Sequence, residues 1–179
     1  MKPVFAILGF GLLVLVCQGA LATIVPPPWC PDLALLVVIG LGLRWTSLAS
    51  GLWLATLLGL AADMLSGALL GQHALLRLVT FASASLASRQ LNLKGSMPLV
   101  FFAVLLSLGY GFALYAVSRF FVGSAPLAAS WPFDLAQHSV VNGICAPWML
   151  AAVSRVLGWA GADIPTSVSI DIGVRRRRA

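Results

Sequence analysis

The sequence predicts an all-α membrane protein, a bundle of about six transmembrane helices. Hydrophobic residues make up 60% of the 179 residues and charged residues only 9%, whereas a soluble domain carries about a quarter charged residues. Apolar runs of membrane-spanning length follow one another with only short polar breaks between them. We therefore expect one helical domain over residues 1–160, followed by a basic cytoplasmic tail over residues 161–179.

The first helix is expected over residues 3–25, close to the ~20 residues that a helix needs to cross a bilayer. Three prolines at 26–28 end it, since proline lacks a backbone donor. The second helix, 32–44, opens with Asp32 as N-cap but rises only about 18 Å against a hydrocarbon core of about 30 Å. Later runs predict further helices at 47–66, 73–88, 98–121 and 135–159.

The first apolar run also has a second interpretation. Lys2, the run itself and the segment Ala20-Leu21-Ala22 resemble a signal peptide with its cleavage site. The run is longer than the apolar core of a usual signal peptide, which favours a retained transmembrane helix.

Lysine and arginine between the helices set the orientation, because cytoplasmic loops carry an excess of both. With six spans, the opposite side receives at most Arg77 and Arg119. One side receives all the others: Lys2, Arg44, Arg89, Lys94, Arg155 and the arginines at 175–178. This asymmetry predicts that both termini are cytoplasmic, and it favours counting the short second helix as a span.

A row of residues at four-residue spacing runs through the third helix. Small residues at such spacing let membrane helices approach closely, so we expect tight packing of the third helix on the fourth. The row drifts around the helix by about 40° per step, so its two ends do not share a face. Its members are Ser47, Gly51, Ala55, Gly59, Asp63, Gly67 and Gly71.

Asp63 lies on this row, and a charge within hydrocarbon normally faces the bundle interior or a partner. If the hairpin turns near residue 70, Asp63 and Arg77 lie at similar depth. We therefore predict an intramembrane ion pair between them. Contact with a partner subunit and a proton or ion relay are the alternatives.

Two other features have both structural and interaction readings. In the sixth helix Asn142 precedes Pro147, which predicts a kink and a polar contact to backbone or to another helix, with partner binding as the alternative. The tail arginines, Arg175, Arg176, Arg177 and Arg178, predict an anchor on anionic lipid headgroups. Docking to an acidic cytoplasmic protein is the alternative for the tail.

The sequence offers no pattern typical of an active site or cofactor site. Glutamate is absent, which excludes paired-glutamate catalysis, and Ser66-Gly67 lacks the glycine expected two residues before a catalytic serine. His73 and His138 lack partners at zinc-ligand spacing. We therefore expect a protein that is not an enzyme and binds no metal or cofactor.

Three segments resemble the rod shape-determining protein MreD family. Pro31-Asp32 followed by an apolar run to Arg44 is similar to that family's second helix. Gly59-x-x-x-Asp63-x-x-x-Gly67, followed by Leu70-Gly71-x-x-Ala74-Leu75, resembles its G-x-x-x-D-x-x-x-G and L-G-x-x-A-L stretch. Asn142 with Pro147 resembles the N-x-x-x-x-P of its last helix.

The resemblance implies a non-catalytic scaffold of bacterial wall elongation in the inner membrane. It implies binding to the single-pass protein MreC, and through it a link to the RodA glycosyltransferase, its transpeptidase partner and, indirectly, MreB. It also implies a fold like the substrate-binding subunits (S-components) of ECF vitamin transporters. Such a subunit is the main rival function, although the first helix lacks the Ala-x-x-x-Ala row that these subunits usually present. An unrecognised membrane enzyme is a third possibility.

Overall fold

The computed structural model describes residues 2–67, 69–90, 95–123 and 129–162, and every regular element in these ranges is an α-helix. The predicted all-α class is therefore confirmed. The six helices are α1 (Lys2–Ala22), α2 (Leu33–Arg44), α3 (Leu48–Ser66), α4 (Gln72–Gln90), α5 (Ser96–Val122) and α6 (Trp131–Trp159). Four of them, α1, α3, α5 and α6, are long and apolar enough to cross a membrane.

The short helix α2 forms the centre of the bundle. All residues from Ala34 to Arg44 are buried, and α2 contacts each of the other five helices. A helix that is apolar on every side belongs inside a protein or a bilayer, and here the other helices surround it. Two of its glycines permit close contact: Gly40 lies against Val153 of α6, and Gly42 lies against Ala84 of α4.

Helices α3 and α4 contact each other over a longer stretch than any other helix pair in the described residues, and the small-residue row predicts that they pack together. The middle of the row makes the contact. Gly51 lies against the Phe81 ring, Ala55 is fully buried, and a Cβ at Gly59 would lie only 2.3 Å from the Cα of Ala74. Such a close approach of two backbones requires glycine.

The two ends of the row do not take part in this packing. Ser47 is the N-cap residue of α3 and makes no side-chain capping bond. Gly67 and Gly71 lie in the turn after α3 with φ of 64° and 94°, a conformation that favours glycine. Their role is to reverse the chain. In α4, Ala84 lies against Gly42 of α2.

Helices α5 and α6 pack on each other and expose apolar side chains on their outer faces. Gly111 lies against Leu135, and Gly143 lies against Val104. Outward-facing residues include Phe101, Phe112, Ile144 and Trp148. Exposed apolar surface of this extent on long helices is suited to lipid.

Two helix boundaries differ from the sequence prediction by three or four residues. Helix α1 ends at Ala22, three residues early, because residues 23–25 form a turn held by bonds to the Ala20 and Leu21 carbonyls. Helix α6 begins at Trp131, four residues early, since Pro132 fits the first turn of a helix, where its missing N–H costs nothing.

Candidate functional site

Buried and half-buried polar side chains gather at the end of the bundle where α2 and α4 begin and α1 and α3 end. We call this group the polar cluster, and every helix contributes to it or flanks it. Buried polar groups in proteins need hydrogen-bond partners, so the connections within the cluster are informative. Its members are Gln18, Asp32, Asp63, Gln72, His73, Arg77, Ser107, Tyr110 and Asn142.

Asp63 caps the N-terminus of α4. Its carboxylate accepts hydrogen bonds from the backbone N–H groups of Gly71 at 2.9 Å, His73 at 2.8 Å and Ala74 at 3.3 Å. The first N–H groups of a helix lack partners within the helix and attract negative charge. Asp63 is only 1% exposed, so these bonds are what makes its burial tolerable.

The predicted ion pair between Asp63 and Arg77 is wrong in its partner. Arg77 lies with its Nη2 atom 3.6 Å from Oδ1 of Asp32, and its Nη1 donates to the Leu58 carbonyl at 2.8 Å. The difference arises because α2 begins at the same level, which brings Asp32 to Arg77, and because the amide groups at the start of α4 bind Asp63.

Asp32 joins α2 to both α4 and α6. Its Oδ1 accepts from the backbone N–H of Leu35 at 2.8 Å, which caps α2, and also faces Arg77. Its own backbone N–H donates to Oδ1 of Asn142 at 2.7 Å. One residue at the start of the central helix therefore fixes the positions of two neighbouring helices.

Asn142 is fully buried and uses both ends of its amide. Besides accepting from Asp32, its Nδ2 donates to the Ser107 hydroxyl of α5 at 2.6 Å. It therefore joins α2, α5 and α6. Pro147 lies inside α6, one turn further along the same helix.

Further bonds extend the polar cluster to the remaining helices. His73 Nδ1 and the Tyr110 hydroxyl are 2.6 Å apart, with their rings stacked. Gln72 donates from Nε2 to the Leu114 carbonyl and the Ser118 hydroxyl of α5. Gln18 of α1 accepts from the backbone N–H of Ala34 at 3.0 Å. The sequence signal for these contacts is a single polar residue within an apolar run, which does not show which helix the side chain faces.

A cleft of about 290 Å³ opens beside the polar cluster between α1, α3 and α4. Its polar lining includes Gln18, Asp32, His73 and Arg77, and the Nε atom of Arg77 has no hydrogen-bond partner within the described residues. The rest of the lining is mostly apolar. In size the cleft falls at the lower limit of small-molecule sites.

The remaining predicted residues lie apart from the polar cluster. Within the ranges that the structure describes, no three histidine, cysteine or acidic side chains are grouped as a metal site. His138 lies in α6 and is half-buried. The tail arginines, Arg175, Arg176, Arg177 and Arg178, fall outside the described residues, so their predicted anchoring stays a prediction.

Comparison of the chain with known protein families, curated proteins and solved structures found no match. The geometry of the polar cluster is therefore the basis for arguing function. Most of its polar atoms are used to join one helix to another. Such an arrangement fixes the relative positions of the helices at one end of the bundle.

Proposed function

We propose that the chain is a non-catalytic scaffold of bacterial cell-wall elongation, of the MreD type. In this role it binds an MreC-like single-pass protein and connects it to a RodA-type glycosyltransferase, the transpeptidase partner and, indirectly, MreB. It resides in the cytoplasmic membrane with both termini in the cytoplasm. The polar cluster then lies at the extracytoplasmic end, where wall synthesis takes place.

One observation carries the proposal: residues from the three segments that resemble the family meet in the polar cluster. Asp32, from the first segment, bonds to Asn142, from the third. Asp63, from the second segment, bonds to Gly71 and Ala74 within the same segment. Segments more than 100 residues apart in the chain thus support one another. These bonds give a physical reason for the three segments to occur in one chain: together they fix the positions of the helices. A scaffold requires such fixed positions.

The engagement of the two aspartates of the polar cluster in helix capping agrees with this role. The carboxylates of Asp32 and Asp63 are both occupied by backbone N–H groups. A general base needs a carboxylate that can reach a substrate proton. Both oxygens of Asp63 and the Oδ1 atom of Asp32 are held by contacts that position helices.

The cleft beside the polar cluster favours one rival, the substrate-binding subunit of an ECF-type vitamin transporter. A cleft of about 290 Å³ with five polar side chains in its lining is a plausible starting point for binding a small polar molecule. Its mostly apolar lining and the mutual pairing of Asp32 with Arg77 leave few polar groups to recognise a vitamin. The scaffold is therefore the function that we put forward.

Affinity purification tests the two readings directly. The tagged full chain is extracted in mild detergent, and co-purifying proteins are identified by mass spectrometry. Recovery of an MreC-like single-pass protein and wall synthases supports the scaffold. Recovery of paired ATPases with a transmembrane coupling subunit overturns it and supports the transporter.

A matched pair of variants links this result to the polar cluster. Asp63→Asn weakens the cap on α4, whereas Asp134→Asn changes an acid in the first turn of α6, outside the cluster. We expect Asp63→Asn to reduce recovery of the single-pass partner and Asp134→Asn to leave it unchanged. Equal recovery with both variants, at equal amounts of folded protein, would separate the polar cluster from partner binding.

A further inference from the structure

Among the residues that the structure describes, Arg44 is a buried charge without an ion-pair partner. It ends the central helix α2 and is only 6% exposed. Its Nε atom has no hydrogen-bond partner, and within the described ranges no carboxylate lies at salt-bridge distance from its guanidinium. Burying an unpaired charge is strongly unfavourable, so charges are retained inside proteins when an opposite charge or a set of acceptors meets them. Arg77, at the other end of the bundle, has such partners.

Arg44 lines a cleft of about 260 Å³ at the end of the bundle opposite the polar cluster. The cleft lies between the start of α1 and the connection from α2 to α3. Its lining is more polar than that of the cleft beside the polar cluster, and its volume is several times the ~30 Å³ that one water molecule takes up in the liquid. The lining consists of Pro3, Val4, Arg44, Trp45, Thr46, Ser47, Gly161 and Ala162.

Helix α3 begins at the wall of this cleft, and its first turn is not capped by a side chain. Ser47 occupies the N-cap position without making a side-chain capping bond. The Ser50 hydroxyl instead accepts from the Trp45 indole at 2.7 Å. The first N–H groups of α3 are therefore open to an external acceptor, and a helix N-terminus favours an anion.

The position of the cleft favours an anion from the layer of lipid headgroups. Arg44 and Trp45 end a helix within a bundle whose outer surface is suited to lipid, so the cleft lies near the level of the headgroups. Lys2 adjoins Pro3 at the rim and is exposed, which adds positive charge. A guanidinium together with helix amide groups is a combination well suited to phosphate oxygens.

We propose that this cleft binds the phosphate group of an anionic phospholipid from the surrounding bilayer. The guanidinium of Arg44 and the first-turn amide groups of α3 hold the phosphate oxygens, while Trp45 contacts the upper acyl region. The site does not depend on the scaffold function, since it uses none of the polar cluster and applies to any role of the protein.

Lipid-dependent stability tests the site. The full-length protein, stripped of lipid in mild detergent, is mixed with dioleoyl phosphatidylglycerol, with the zwitterionic dioleoyl phosphatidylcholine, or with inorganic phosphate. Bound lipid is counted by native mass spectrometry, and thermal unfolding is followed in parallel. Phosphatidylglycerol is expected to be retained preferentially and to raise the melting temperature.

Two variants provide the comparison. Arg44→Gln is expected to lower the affinity for phosphatidylglycerol about tenfold, the effect of losing one charge-assisted hydrogen bond. Arg89→Gln removes an exposed arginine from the last turn of α4, at the same end of the bundle, and is expected to change the affinity less than about twofold. A general attraction of positive charge to anionic lipid would affect both variants alike, which would overturn the site.

The melting temperature gives a second readout that a purely structural arginine would not produce. In lipid-free detergent Arg44→Gln should be at least as stable as the original protein, because it removes an unpaired buried charge. With phosphatidylglycerol the order should reverse.

Other outcomes identify a different partner for Arg44. If inorganic phosphate alone stabilises the protein and the lipid does not, the lipid source is wrong. Asp163 follows Ala162 in the sequence. If Asp163→Asn and Arg44→Gln lose the same amount of stability in lipid-free detergent, the partner of Arg44 is Asp163 and not a lipid.

Discussion

Replacing Asp63 tests whether this carboxylate caps α4 or pairs with Arg77. Asp63→Ala removes the acceptor of three backbone N–H groups, two of them at 2.8 and 2.9 Å. A hydrogen bond to a charged group contributes about 1.5–3 kcal/mol. Two good bonds at the lower value predict a loss of about 3 kcal/mol in the free energy of unfolding. Asp63→Asn keeps one acceptor oxygen and should lose about half as much.

The measurement is reversible unfolding in mixed micelles, with helix content followed by circular dichroism. Asp134→Ala serves as control, since it removes only a favourable charge in the first turn of α6, worth about 0.5 kcal/mol. A loss for Asp63→Ala no larger than that of the control would show that the three N–H groups find other acceptors. The capping argument would then fail.

A double-mutant cycle separates the two possible partners of Arg77. The coupling energy between Asp32 and Arg77 should be about 1 kcal/mol, as for residues in contact. The coupling between Asp63 and Arg77 should stay below about 0.5 kcal/mol. Exchanging Asp63 and Arg77 should not restore stability, because an arginine cannot accept the N–H bonds of α4. Restored stability in that exchange would refute the assignment.

Three further changes test close packing, helix connection and thiol environment. Gly59→Ala places a methyl group 2.3 Å from a backbone atom of α4 and should lower the free energy of unfolding by about 2 kcal/mol. Gly9→Ala, which has open space around it, should leave thermal unfolding unchanged. Asn142→Ala loses two interhelical bonds and should cost about 2 kcal/mol in the same assay, with Gln137→Ala as the neutral comparison. Burial, with a smaller contribution from the nearby carboxylate of Asp32, raises the pKa of Cys30. Less of its thiol is therefore ionised at a given pH. In a variant whose other cysteines are replaced by serine, maleimide labelling of Cys30 should be slow at pH 7. The labelling rate should increase as the pH rises past the usual range of thiol pKa values. Equal rates for Cys30 and a fully exposed cysteine at every pH would contradict this.

Much of the fold could be predicted from the sequence because membrane helices carry their signal locally. Apolar runs of about 20 residues, ended by proline or by charge, placed six helices within a few residues of their observed bounds. The contact of Gly51 and Gly59 with α4 also followed from four-residue spacing. The central position of α2 did not follow, since helix length shows only that it is short, and burial on every side depends on how five other helices pack.

The polar cluster was harder to predict because its bonds join residues far apart in the sequence. Asp32 was predicted as a helix cap, and it is one, but its contacts with Arg77 and Asn142 require α4 and α6 to lie at the same depth. The sequence gives depth only relative to the nearest turn. Tyr110 and Ser107 were missed because a hydroxyl within an apolar run does not reveal which neighbour it faces.

The enclosed position of α2 has a consequence for how the chain is made. Helix α2 leaves the ribosome early, whereas α6, which covers part of it, is completed at Trp159, about 115 residues later. At ~5–20 residues per second, α6 follows after about 6–23 s. During that interval a twelve-residue helix, too short to span the bilayer by itself, has to be sheltered by the insertion machinery or by α1. Helix α2 is therefore fully enclosed only once α6 has been made, and a nascent chain interrupted before α6 leaves part of its central helix uncovered.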